Sequence, residues 1–172
     1  GELSLLNIMS WNIAGSSKLL QEGFNSTSWL GMDIVALQET WATEEIPLEG
    51  YELYYNLAIK TMTHGREKGG LATYVALNLQ LAIEWMPCTS HDFQVLSVDL
   101  LGPKSDIFFL INVYIPPGYR QKTTTIKVLL DTFGALQKEY LTRNLIITGD
   151  FNSYLFYSRN HDVMLEAGNA AW

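Results

Sequence analysis

A chain of 172 residues, 48% of them hydrophobic, suffices for a single domain with a sizeable core. Its net charge of −7, from 11 Lys and Arg against 18 Asp and Glu, excludes binding through overall basicity. A nucleic-acid partner then needs a local patch or a bound cation. Cys88 is the only cysteine, which excludes an intrachain disulfide, and the longest apolar runs are too short to span a bilayer.

In chain order, Gly1 to Ile8 lacks a charged segment followed by a long apolar run, and with the single cysteine this favours an intracellular setting. The chain starts at Gly1 rather than Met, as a processed, engineered or partial product would. Leu5 to Asn12 reads as a strand that breaks at Gly15. Ser16 to Leu30 has helical spacing weakened by Gly23. Asp33 to Gln38 reads as a short buried strand that stops at Glu39. Tyr51 to Tyr55, Leu71 to Leu77 after Gly69-Gly70, Leu81 to Trp85, Phe93 to Leu101 and Ile107 to Ile115 are further strands. The last two flank the turn-forming Gly102 to Asp106 and are expected to pair as an antiparallel hairpin.

Thr125 to Leu141 is the best helix, with Ile126, Leu129, Leu130, Phe133, Leu136 and Tyr140 at spacings of three and four on one face. Asn144 to Thr148 follows as a buried strand ending at Gly149-Asp150. Hairpin-paired strands with interspersed helices point to a layered α/β sandwich rather than a doubly wound parallel sheet. Basic residues fall in two stretches, Lys60, His64, Arg66 and Lys68, then Arg120, Lys122 and Lys127. Either is a local anion-facing patch or a solvated loop.

Polar residues cluster where strands end. Asn12, Glu39, Tyr114, Asp150 and Asn152 each lie at or just past the end of an apolar run, where rigid strands can aim side chains at one rim. A carboxylate, a carboxamide and several waters suit Mg²⁺, which takes oxygen ligands and keeps much of its hydration shell; Mn²⁺ is the alternative. A second carboxylate can orient or deprotonate an attacking water, and amide donors can stabilise added negative charge on phosphate. Without a His or Cys cluster, zinc is disfavoured. Plainer readings stand beside these. Glu39 also suits a helix start, Asp150 and Asn152 suit a turn, Asn12 can satisfy turn amides, and Tyr114 can be a core aromatic.

Five motifs occur in order: Ser10-Trp11-Asn12-Ile13-Ala14-Gly15, Leu37-Gln38-Glu39-Thr40-Trp41, Gly69-Gly70-Leu71-Ala72, Asn112-Val113-Tyr114-Ile115-Pro116-Pro117 and Gly149-Asp150-Phe151-Asn152. Together, over about Leu5 to Asn152, they resemble the endonuclease/exonuclease/phosphatase superfamily. The set looks most like the apurinic-type endonuclease domain of LINE-type (non-LTR) retrotransposons. The resemblance implies a DNase-like, four-layer α/β/β/α sandwich. It also implies Mg²⁺ held by Glu39 with Asn12 in support, Asp150 activating water, and Asn152 and Tyr114 contacting the scissile phosphate. The implied reaction is nicking of target DNA, in the nucleus, by a domain of a polyprotein that also carries a reverse transcriptase. Relatives with this fold instead repair abasic sites or hydrolyse phospholipids and small phosphate esters.

Two departures qualify the resemblance. Ala14 stands where the family often has Asp or Asn, removing one oxygen near the metal. The family's closing strands and Ser-Asp-His motif are not matched by residues 153–172, which read as a divergent tail after a partial domain at 1–152. His161-Asp162 comes too soon to replace that motif, and Met164 to Trp172 reads as a short amphipathic helix or an unrelated tail. The expectation is a domain that lacks its last strands and is impaired in turnover. A non-catalytic nucleic-acid or protein-binding remnant and a phosphoesterase of phospholipids or small esters are the alternatives.

Overall fold

The computed structural model describes residues 6–20, 31–59, 68–79, 81–86, 88, 90–101, 107–140, 143–152, 154–157 and 163–166. The strands are β1 (Ile8–Asn12), β2 (Ile34–Gln38), β3 (Tyr51–Asn56), β4 (Leu71–Ala76), β5 (Leu81–Met86), β6 (Phe93–Leu100) and β7 (Ile107–Tyr114). Helix α1 (Tyr119–Glu139) then leads to β8 (Asn144–Asp150), β9 (Tyr154–Tyr157) and β10 (Val163–Glu166). Two four-stranded sheets, ordered β1-β2-β4-β3 and β5-β6-β7-β8, are each mixed, and β9 pairs with β10 as a separate antiparallel hairpin. Within them β1 runs parallel to β2 and β7 parallel to β8, while β6 and β7 form the antiparallel pair expected from the sequence.

The sheets pack face to face. Ile34, Tyr54 and Val75 of one meet Leu96, Val98, Phe108 and Leu110 of the other. Because side chains alternate along a strand, the opposite faces need cover of their own. Phe93, Val95, Phe109, Ile111 and Val113 are covered by Leu129 and Leu136 of α1, with Ile126, Phe133 and Tyr140 alongside. On the far side of the sandwich, Val35, Leu37, Ala72 and Tyr74 are covered by Ile13, Leu19, Ile46 and Leu48. Thus α1 and the two sheets supply three layers of the expected sandwich. Of the expected Ser16 to Leu30 helix, Ser16–Lys18 form a 3₁₀ turn and residues 21–30 lie outside the described residues.

Several sequence expectations need correction. Helix α1 starts six residues before Thr125, at Tyr119, because Gly118 in an extended conformation ends the Pro116-Pro117 segment and caps it. Its first turns are polar and so lack the apolar spacing that marks the rest. Leu130 is 55% exposed, off the packed face, where the partly buried Val128 sits instead. Met164, Leu165 and Glu166 belong to strand β10, not a helix: Val163–Glu166 pairs residue for residue with Tyr154–Tyr157, a β-prone partner. Arg120, Lys122 and Lys127 lie on α1 rather than a loop, and Lys122 is only 2% exposed. Lys60, His64, Arg66, His161 and Asp162 lie outside the described residues.

Candidate active site

The C-terminal ends of β1, β2, β7 and β8 meet on one rim, which follows from their parallel pairing and the contacts between the sheets. All five sequence-identified residues sit there. The Asn12 amide nitrogen donates to Glu39 Oε2 at 2.8 Å and to Asp150 Oδ2 at 2.8 Å. The Asn12 carbonyl oxygen accepts from the Ala14 backbone N–H at 3.1 Å, which fixes the amide's orientation. The Tyr114 hydroxyl bonds the Glu39 carboxylate and the Asn152 side chain. Burial, the Glu39 contact and the nearby Asp150 charge push the Tyr114 phenol well above its ordinary pKa, opposed only by the Asn152 bond.

The loops that carry these groups are held in left-handed backbone. Glu39 has φ 51°, Asn152 φ 43° and Ala14 φ 50°. Asn tolerates this region, whereas Glu and Ala each cost about 1–2 kcal/mol there. Such strain persists only where surrounding contacts fix it. Around Glu39 those contacts are explicit. Its carbonyl accepts from Gly15 N at 2.8 Å, and the next two amides, Thr40 and Trp41, donate to Gly70 O at 3.2 Å and Gly69 O at 3.0 Å. A Cβ on Gly70 would collide with Thr40 Oγ1, so the Gly69-Gly70 motif is a seat for the Glu39 turn.

The Gly149-Asp150-Phe151-Asn152 loop is fixed from the other sheet. In the β7–β8 register Gly149 is opposite Val113 and Asp150 opposite Tyr114. A Cβ on Gly149 would collide with the Val113 carbonyl oxygen, so only glycine lets β8 approach this closely. Asp150 O accepts from Ile115 N at 2.8 Å, and Asp150 Oδ1 accepts from Asn152 N at 3.0 Å. The Asn152 amide donates to Ile115 O at 2.8 Å. From α1, the buried Lys122 ammonium donates to the Asn152 carbonyl. The sequence leaves Lys122 in a basic stretch that is either an anion-facing patch or a solvated loop, and no local pattern marks it as buried, since lysine is usually exposed.

Ser10, Asn12, Gln38, Gly149, Asp150, Phe151 and Asn152 line an open cleft of about 360 Å³. A larger groove of about 570 Å³ runs beside Trp41, with Glu44, Glu45 and Glu49 on its wall. Its glutamates disfavour a phosphate ligand, so the smaller cleft is the candidate site. Among the described residues no three His, Cys, Asp or Glu side chains gather closely enough to hold a metal as a cluster. The two carboxylates bridged by Asn12 are oxygen donors only. That set fits a hard cation which keeps part of its water shell, and it does not fit zinc.

The family model described as "Endonuclease/Exonuclease/phosphatase family" matches residues 9–166. The chain belongs to this family. No curated protein matches it. Among solved structures, the fold resembles the human Nocturnin catalytic domain with bound sulfate anion at TM-score 0.61 and 16% identity, covering 87% of this chain and 64% of that one. It resembles the Xenopus laevis APE2 catalytic domain at TM-score 0.61 and 22% identity, covering 87% and 59%. An AP endonuclease from Archaeoglobus fulgidus aligns at TM-score 0.53 and 18% identity, covering 87% and 58%. The chain thus spans between 58% and 64% of these three structures. At such identities the likeness concerns the fold. No helix of the described residues is long and apolar enough to cross a membrane.

Proposed function

We propose that the chain is a Mg²⁺-dependent phosphodiesterase acting on DNA, of the kind that nicks target DNA for a LINE-type retroelement. The observation that carries this reading is the Asn12 amide bridging Glu39 and Asp150, with Asn12 and Asp150 lining an open cleft. Two carboxylates drawn together at a rim repel each other unless a cation or an amide donor lies between them. Family membership supports the choice of phosphate ester chemistry.

In this reading Glu39 is the principal Mg²⁺ ligand, with Asn12 in support, and the bound ion supplies polarisation of a phosphoryl oxygen. Asp150 orients and deprotonates the attacking water. Its two oxygens accept from the Asn12 side-chain amide and from the Asn152 backbone N–H, so its direction is set before substrate arrives. Tyr114 keeps its phenolic proton, and its O–H would turn from the Glu39 carboxylate to donate a hydrogen bond to a phosphate oxygen when substrate binds. The Asn152 amide hydrogen now shared with Tyr114 serves the same phosphate. Residues 153–172 do not resemble the closing Ser-Asp-His motif that the family resemblance leads one to expect, and slow turnover by this chain is part of the proposal. The parent polyprotein would supply a reverse transcriptase that uses the nick.

The test compares supercoiled plasmid, a duplex with an abasic site, and phosphatidylinositol phosphates under single-turnover conditions in Mg²⁺ or EDTA. Nicking of either DNA in Mg²⁺ alone is the expected result, with the plasmid cut whether or not it carries abasic sites. Hydrolysis confined to the lipid, or DNA binding with no cleavage, would overturn the DNA reading.

A further inference from the structure

The inner faces of the two sheets change character towards the rim. Ile8 gives way to Ser10 and Asn12 on β1, and Ile34 and Ala36 to Gln38 on β2. In the same way Tyr54 gives way to Asn56 on β3, Val98 and Leu96 to Gln94 on β6, and Phe108 and Leu110 to Asn112 on β7. These polar residues are bonded to one another across the sandwich. Gln38 Nε2 donates to Asn112 Oδ1 at 2.9 Å and to Ser10 Oγ at 3.0 Å. Asn112 Nδ2 donates back to the first sheet, to Leu37 O at 3.1 Å and Thr73 Oγ1 at 3.2 Å. Thr73 Oγ1 donates to Gln94 Oε1 at 2.9 Å, and Gln94 Nε2 reaches Asn56 Oδ1 at 3.4 Å.

Gln38 and Asn112 are each 1% exposed, and burying two carboxamides is unfavourable unless their donors and acceptors are met. A pair of apolar side chains of similar volume would pack the same space without that demand. What the carboxamides add is direction: a hydrogen bond fixes distance and angle where an apolar contact does not. Their position shows what is being fixed. Gln38 is the residue before Glu39, and Asn112 lies two residues before Tyr114 on the same face of β7. The Gln38–Asn112 bond therefore lies one step beneath the Glu39–Tyr114 bond, and both join β2 to β7.

We propose that Gln38 and Asn112 are positioning residues, a buried carboxamide clasp that sets the separation and register of the two sheets so that Glu39 and Tyr114 meet. The proposal rests on the reading of that rim as the reactive site. Gln38 also lines the cleft, but its side-chain bonds, like those of Asn112, go to Ser10, Thr73, backbone carbonyls and each other. Gln38 acts through the next residue, Glu39, and Asn112 through Tyr114 two positions on.

The test uses Gln38→Leu, Asn112→Leu and the double variant, with Gln94→Leu as a seam variant further from the rim. All are studied at a fixed interval below their own melting temperatures. With plasmid substrate, the two clasp variants should lower kcat about 10–100-fold, the scale of a 1 Å misplacement, with KM within about threefold. The double variant should be no worse than the poorer single, and Gln94→Leu should lose less than about threefold. A second readout needs no turnover: amide exchange at Gly15 and Ile115, whose N–H groups bond Glu39 O and Asp150 O. In the clasp variants these two amides should exchange at least about tenfold faster than global unfolding allows, and in Gln94→Leu they should not. Equal kcat losses in all three single variants, or rim exchange that tracks global stability alone, would overturn the clasp. If the parent chain cleaves no substrate, the functional reading fails, and the exchange measurement alone decides the clasp.

Discussion

Asn12 offers one amide nitrogen to two carboxylates, Glu39 just past the end of β2 and Asp150 at the end of β8, at 2.8 Å each. The residues it joins are 111 positions apart in the chain, so the contact exists only when both sheets are correctly stacked. It makes Asn12 the place where folding and chemistry meet.

Replacing Asn12 by alanine leaves the carboxylates facing each other without a donor between them. Mg²⁺ affinity, measured calorimetrically, should fall about 10–100-fold, the usual effect of losing a group that orients a metal ligand. Thermal stability in excess Mg²⁺ should recover part of what the variant loses without the ion, because the cation then separates the charges. Unchanged Mg²⁺ affinity would count against the bridging role.

Gly149→Ala tests how β8 reaches the rim. The added Cβ would meet the Val113 carbonyl, a backbone atom that has no rotamer to escape into. A loss of about 1–3 kcal/mol or more in denaturant unfolding is expected, with activity falling further than stability because Asp150 moves with the strand. A variant as stable and active as the parent would show that the strand has room to relax.

Lys122→Met keeps the length of a buried side chain but removes the ammonium that bonds the Asn152 carbonyl. Leaving that carbonyl without its donor should cost about 1–3 kcal/mol. The loop around Asn152, held at a positive φ, should become more accessible to exchange. Exchange at Asn152 no different from the parent would assign Lys122 to packing alone.

Tyr114 gives a pH dependence of definite sign. Its folded pKa lies above the unfolded value of about 10, so the folded state holds the proton more tightly. The stabilisation is complete below about pH 10 and is lost as pH rises towards the folded value. Tyr54 and Tyr74 act in the same sense, Tyr74 being pushed up to about 12 by burial. In urea titrations from pH 8 to 11, Tyr114→Phe should therefore lose less stability with rising pH than the parent does. An equal or steeper decline would contradict the burial and the Glu39 contact that together hold the Tyr114 proton.

Much of this was visible in the sequence, for reasons that differ by element. Apolar runs gave nearly every strand its place, because strand length and bounding Gly, Asn or Asp are local properties. That Asn12, Glu39, Tyr114, Asp150 and Asn152 converge on one rim was anticipated because each lies at or just past the end of such a run. The start of α1 was not, because Tyr119 to Thr124 satisfy backbone geometry without showing a face. The inward direction of Gln38 was hidden as well: all five residues of β2 are buried, so its composition does not alternate and the face of each is undetermined. Lys122 and Asn112 are buried by tertiary bonds to Asn152 and Gln38, which no local pattern carries. The LINE-type assignment rests on motif resemblance, and the match of residues 9–166 establishes the broader family.

The most direct measurement is single-turnover nicking of supercoiled plasmid by the parent chain and by Glu39→Ala, each in Mg²⁺ and in EDTA. Slow nicking by the parent in Mg²⁺, abolished by EDTA and reduced at least about a hundredfold by Glu39→Ala, is the expected result. Nicking that survives Glu39→Ala or EDTA would contradict the assignment of this rim as a metal-dependent phosphodiesterase site.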